Sequence, residues 1–243
     1  MSDWLFDLGN SRFKFAPLEG AAAGSVQAWQ HGAEAMTSAA LQALPEGDTA
    51  WVASVAAPAL TTAVMEVVQQ RFARVRVARS QAECAGVRIG YAQPEKFGVD
   101  RFLALLAAAG SQRPVLVVGV GTALTIDLMD ASGQHLGGRI GASPTIMREA
   151  LHAKAVQLPA AGGQYAEFAN ETADALASGC DGAAVALIER SVQQTTTQLG
   201  SLPALLVHGG GAAPLLPLLP AADYRPALVL DGLARWAVHQ PPG

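Results

Sequence analysis

Short apolar blocks bounded by glycine, proline or polar residues alternate along this chain with longer stretches of helical spacing. Trp4–Asp7 predicts a strand. A Gly9-Asn10-Ser11 turn follows, and the alternation Arg12-Phe13-Lys14-Phe15 predicts a second strand. Thr49–Val55 predicts another. Pro58 then opens a helix over Ala59–Phe72, at a position where its missing N–H removes no hydrogen bond. Val75–Ala78 predicts a strand and Asp100–Gly110 a helix rich in Leu and Ala. Val115–Val118 predicts a buried strand, followed by a Gly-x-Gly-Thr turn and the strand Leu124–Met129. Helices are predicted over Ile146–Ala155 and Ala173–Leu199, the latter capped by Thr172. Leu205–Val207 is a strand running into three glycines, and Asp231–Val238 closes as a helix. The fold class is α/β.

The plan repeats. Leu5-Phe6-Asp7-Leu8-Gly9-Asn10-Ser11 and Val117-Val118-Gly119-Val120-Gly121-Thr122-Ala123 each give an apolar strand, a glycine turn, a small polar group and another strand. Their offset, from position 7 to position 119, is close to half of the 243 residues, as a duplicated α/β domain would give. The polar, proline-ended stretch Ser111–Pro114 supplies a boundary. It divides the chain into residues 1–112 and 113–243.

Composition narrows the class. Apolar residues make up 51% of the chain and charged residues only 15%, which excludes a disordered protein. The net charge of −4 gives no support to a nucleic-acid or anionic-membrane surface as the main partner. The longest clean apolar run, Phe102–Ala109, is far short of the ~18–20 residues that span a bilayer. The opening Met1-Ser2-Asp3-Trp4 has no signal-peptide character. Cys84 and Cys180 stand alone, without metal-ligand or disulfide spacing, and read as buried thiols. A cytoplasmic protein is expected.

The two turns suit phosphate. A hairpin built on glycine lets backbone N–H groups approach an anion with no side chain in the way. Gly9, Asn10 and Ser11 put amide and hydroxyl donors at one tip, with Lys14 three residues further on; Gly121 and Thr122 offer a second tip. Facing each other, such tips could clasp the phosphates of a nucleotide. Asp7, ending the first strand, could orient a hydrated Mg²⁺, which takes few carboxylates and keeps its waters. His208-Gly209-Gly210-Gly211 could let an adenine lie on the backbone. Neither GxxxxGK[ST] nor GxGxxG occurs, so neither a P-loop nor a standard dinucleotide site is indicated.

Taken in order, Asp7-Leu8-Gly9-Asn10-Ser11, Gly98-Val99-Asp100-Arg101, Gly121-Thr122-Ala123 with Thr125-Ile126-Asp127, Gly137-Gly138-Arg139-Ile140, and Thr172 before Ser178-Gly179 resemble the type III pantothenate kinases over nearly the whole chain. The resemblance implies two ribonuclease-H-like halves of the actin, Hsp70 and sugar-kinase type with a central nucleotide cleft. It implies transfer of the ATP γ-phosphoryl group to the primary hydroxyl of pantothenate, the opening step of coenzyme A synthesis. Residues 1–112 then carry the first phosphate loop and the base, and residues 113–243 the second loop and the adenosine-side glycines.

Position by position, the resemblance makes Asp100 the catalytic base. It gives Tyr91, Gly98, Val99, Asp100, Arg101 and Thr172 to pantothenate, and Asp7, Leu8, Gly9, Asn10, Ser11, Arg12, Phe13, Lys14 and Thr122 to ATP. Asp7 is the Mg²⁺ group, acting through water, and Asp127 is a structural or metal-orienting carboxylate. The family works as a homodimer with the substrate pocket near the interface, so Thr172 can act across subunits. One position departs from the pattern. Many family members carry an aspartate that ligates K⁺ or NH₄⁺ where this chain has Gly119, so either backbone carbonyls and water complete the site, or the cation binds elsewhere, or the dependence on it is weaker. Two alternatives are a kinase of the same superfamily for another hydroxyl compound, which Tyr91 and Arg101 oppose, and a non-catalytic nucleotide- or pantothenate-sensing regulatory protein, which Asp100 and both phosphate loops oppose.

Overall fold

The computed structural model describes residues 2–30 and 38–241, and the chain divides into two compact units. One comprises Met1–Gly110, Ser132–His135 and Ala227–Gly243; the other comprises Ser111–Ala131 and Leu136–Pro226.

The first unit begins with β1 (Trp4–Leu8), β2 (Arg12–Glu19), β3 (Ala22–Ala23) and β4 (Gln27–Gln30), then α1 (Ser38–Gln42), β5 (Gly47–Ser54), α2 (Pro58–Arg71) and β6 (Phe72–Val77). A small hairpin of β7 (Glu83–Cys84) and β8 (Val87–Arg88) precedes α3 (Val99–Ala108). The sheet runs β3-β2-β1-β5-β6, with β4 also on β2. The β1–β2 hairpin is antiparallel, whereas β5 and β6 add in parallel. Strand alternation sends Phe6, Leu8, Phe13 and Phe15 to one face, where they pack with Val64 and Val68 of α2. Phe6 meets Phe72 edge to face, with centroids 5.5 Å apart.

The second unit holds β9 (Val115–Val120), β10 (Ala123–Met129), most of β11 (His135–Ala142), α4 (Pro144–Lys154), α5 (Thr172–Leu199), β12 (Ala204–His208) and β13 (Ala222–Tyr224). Its sheet runs β11-β10-β9-β12-β13, again an antiparallel hairpin extended in parallel from its first strand. The echo between the two turns therefore extends to the order of the strands. Ala184, Val185 and Ile188 of α5 pack on Val118, Val120, Leu124 and Ile126. The helix stops at Gly200, whose φ of 69° lies in the left-handed region and whose N–H donates to the Thr196 carbonyl.

The chain then returns to the first unit as α6 (Leu228–Val238), which packs along α3. Gly232 makes this possible, because a Cβ there would drive into the Leu103 carbonyl. Arg235 donates to the Ala109 carbonyl at 2.8 Å, and Trp236 meets Trp51 edge to face. Where the sequence suggests one boundary at residues 112–113, α6 and Ser132–His135 thus group with the first unit, held by packing that local patterning does not encode.

Two further differences have local causes. Residues 172–199 form the long helix as expected, but Thr172 is its first residue and not its cap; Glu171 holds the cap position, without a side-chain bond to the helix. Its first-turn acid, Asp174, instead accepts from the Gln164 N–H and ties down the preceding loop. Strand β11 was not predicted, because its Gly137-Gly138-Arg139-Ile140-Gly141 core lacks an apolar alternation.

Candidate active site

In the first unit, Gly9 closes the β1–β2 hairpin by donating to the Arg12 carbonyl at 3.0 Å. Asn10 and Ser11 are exposed at the tip. Leu8 and Phe13 are fully buried in the core, so at this turn they can offer only backbone. Asp7 and Lys14 are directly opposed across the ladder, and side chains paired in this way share a face. Asp7 is 8% exposed. Burial pushes its carboxyl up to about 7; the Lys14 charge opposes that shift, and the Asp100 charge adds to it. Burial also lowers the Lys14 ammonium, against the pull of Asp7. The influence of Asp100 on Asp7 brings two predicted site residues, 93 positions apart in numbering (7 and 100), into one electrostatic neighbourhood.

Gly98 stands at the N-cap position of α3 and Asp100 in its first turn, where the helix dipole favours a negative charge. Gly98 has an ordinary backbone angle (φ −56°), so its lack of a side chain serves packing: a Cβ would stand 2.8 Å from Asp100 Oδ1. Arg101 follows, only 8% exposed. Its guanidinium carbon lies 4.6 Å from the Phe97 ring centroid and 5.9 Å from that of Tyr91, and Nη1 donates to the Tyr91 hydroxyl at 3.4 Å. An arginine placed this way has its guanidinium held against aromatic rings, which restrains a fork suited to a carboxylate.

Two members of this cluster were missed from sequence. Phe97 meets Tyr91 edge to face at 4.9 Å, and His135, 1% exposed, stacks on Tyr91 at 5.8 Å and packs on Phe97 at 4.9 Å. Phe97 adjoins Gly98 and could have been found by its position. His135 is remote in sequence and arrives only because Ser132–His135 returns to the first unit, where Arg88 bridges to Gln134.

In the second unit, Gly121 closes the β9–β10 hairpin by donating to the Ala123 carbonyl at 3.0 Å, leaving Thr122 exposed at the tip. Asp127 is 2% exposed and pairs in register with Val117, well down the hairpin from that tip. Thr172 is exposed on the first turn of α5. Arg139 donates to the Ser191 hydroxyl, fixing β11 to α5. After β12, Gly209 takes a φ of 99° and lies against the Val120 carbonyl, which also accepts from the Gly211 N–H at 2.9 Å. Cys84 and Cys180 are buried thiols, as expected.

The type III pantothenate kinase family model matches residues 4–194. A relative named type III pantothenate kinase, from Stenotrophomonas maltophilia (strain K279a), is 76% identical over 243 residues, covering 100% of both chains. Among solved structures, a Baf family protein from Campylobacter jejuni superposes with a TM-score of 0.62 at 20% identity, over 95% of this chain and 94% of that one. An archaeal actin homolog does so with a TM-score of 0.53 at 8% identity, over 99% of this chain and 100% of the other. The shared fold is of the actin, Hsp70 and sugar-kinase type.

Proposed function

Because the chain belongs to the type III pantothenate kinase family, which uses ATP to phosphorylate pantothenate at the start of coenzyme A biosynthesis, we propose how its own residues perform that transfer.

Phosphoryl transfer passes through a loose transition state, so catalysis consists largely of positioning and of neutralising charge. We assign Asp100 to the pantothenate hydroxyl: it orients the attacking oxygen and accepts its proton as the bond to phosphorus forms. A carboxylate is a weak base for an alcohol in the ground state and suffices when the proton moves late. Arg101 pairs the pantothenate carboxylate through two parallel N–H···O bonds. Tyr91 is assigned to the same substrate, with Gly98 and Val99 contributing backbone, and the family resemblance adds Thr172 to the pantothenate contacts. The single observation that carries this reading is the buried Arg101, held against Phe97 and Tyr91 and adjacent in sequence to Asp100.

The first turn, Asp7 to Lys14, and the second, at Thr122, are assigned to the phosphates of ATP through backbone N–H groups and the Ser11 and Thr122 hydroxyls. The donor chemistry at Asp7 fits a hydrated Mg²⁺. Its buried carboxyl is pushed toward neutrality by desolvation and by Asp100, and a divalent ion beside it would favour the charged form. Bound there through water, Mg²⁺ would supply positive charge against the triphosphate. No helix of the described residues is long and apolar enough to cross a membrane. The family resemblance supports a cytoplasmic homodimer, and the exposed Leu136 and Ile140 of β11 are apolar surface that a partner subunit could cover.

The test is a mass-spectrometric assay for 4′-phosphopantothenate with ATP, Mg²⁺ and pantothenate. Wild-type enzyme is expected to make product, and Asp100→Asn to bind ATP but lose nearly all turnover. Near-normal turnover by Asp100→Asn would remove the base from the reading.

A further inference from the structure

Position 119 is where the family resemblance implies a carboxylate for K⁺ or NH₄⁺, and the side chains nearest Gly119 do not fit K⁺. Gly119 pairs in register with Thr125 on β10 and with His208 on β12. The three form one row across the sheet, so the side chains of Thr125 and His208 leave it on the face that a side chain at 119 would use. They fill that space. A Cβ built on Gly119 would stand 2.6 Å from Thr125 Oγ1, 3.0 Å from His208 Nε2 and 3.2 Å from His208 Cε1. A carboxylate there would have to displace both side chains, and the groups nearest that space are a hydroxyl and an imidazole. K⁺ gives up its water only to a set of several oxygen donors, which this pair does not supply.

His208 is held in place by the glycines that follow it. The left-handed turn at Gly209 and the bond from Gly211 N–H to the Val120 carbonyl press residues 209–211 onto the end of β9. Val120 is the residue immediately before Gly121 and Thr122. The imidazole over Gly119 and the glycine loop on Val120 therefore brace two successive residues leading into the second turn.

We propose that His208, supported by Thr125, does the structural work of the monovalent cation at the second phosphate turn, so that this enzyme turns over without K⁺. The inference rests on the assignment of Gly121–Thr122 to the ATP phosphates, and the experiment separates the two. Enzyme freed of K⁺ and NH₄⁺ is assayed in tetramethylammonium chloride and in KCl at equal ionic strength. The kcat and the KM for ATP are expected to agree within about twofold. Activation by K⁺ of about tenfold or more would overturn the proposal. Calorimetric titration of a non-hydrolysable ATP analogue into wild-type enzyme gives a readout independent of turnover: equal Kd in the two salts supports the proposal, and marked tightening in KCl opposes it. His208→Ala is expected to raise the KM for ATP severalfold while leaving that for pantothenate unchanged. An unchanged KM for ATP in a folded His208→Ala enzyme would show that the imidazole has no such role. Thr122→Ala tests the underlying assignment, since a phosphate turn predicts a raised KM for ATP in either salt.

Discussion

The Asp100 carboxylate folds back toward Gly98, two residues earlier, so closely that a Cβ on Gly98 would stand 2.8 Å from Oδ1. Asp100 lies in the first turn of α3 and Gly98 at its N-cap position, so the glycine keeps open the space that the proposed base occupies. Gly98→Ala has no backbone conflict, because φ is −56°, and it should leave the fold intact while displacing the carboxylate. The expected result is a fall in kcat of about tenfold to a hundredfold, with the melting temperature nearly unchanged. Wild-type kcat in this variant would mean that the carboxylate position is not critical.

The position of the Arg101 guanidinium over the Phe97 ring bears separately on substrate binding. Arg101→Lys keeps the charge but loses the planar fork, and should raise the KM for pantothenate about tenfold or more. The KM for ATP should stay close to wild type. Phe97→Leu should act in the same direction and more weakly, because it leaves the guanidinium but removes its aromatic support. Equal losses in both KM values would point to general damage instead.

Asp7 makes ligand-free stability depend on pH in a defined direction. Its carboxyl rises from an ordinary 3.8 to about 7 on folding, so between those values the folded state holds more protons than the unfolded state. Stability therefore falls as pH rises through that window, by at most ~1.4 kcal/mol per pH unit from this group, and levels off above it. Asp7→Asn should remove this slope and be the more stable protein at pH above 7 in the absence of Mg²⁺ and ATP. Denaturant titrations of both proteins across the window provide the check, and parallel profiles would count against it.

Gly232 tests the seam between α3 and α6. A Cβ there would enter the Leu103 carbonyl, so Gly232→Ala should destabilise the protein by about 1–3 kcal/mol through overpacking, despite the better helix propensity of alanine. Because Leu103 lies one turn beyond Asp100 on α3, kcat should fall as well. Chemical denaturation and steady-state kinetics on the same preparation would measure both effects.

Both hairpin turns, the α/β class, the duplicated plan and the Gly98–Arg101 segment were legible in the sequence. Each depends on a few neighbouring residues: glycines where the backbone must turn, and alternation where one face is buried. The roles proposed for Gly98-Val99-Asp100-Arg101 come from the resemblance of that run to the family's motif. The tertiary structure alone decided which distant residues meet. His135 reaches Tyr91 because a short segment of the chain returns to the first unit, and α6 joins that unit because Gly232 permits close approach to Leu103. In the sequence Gly119 was simply a missing carboxylate. Strand register set His208 and Thr125 beside it and turned the gap into a filled position. Cross-strand register and helix seams are fixed by contacts between residues far apart in the chain, where local pattern carries no information about which partner will arrive.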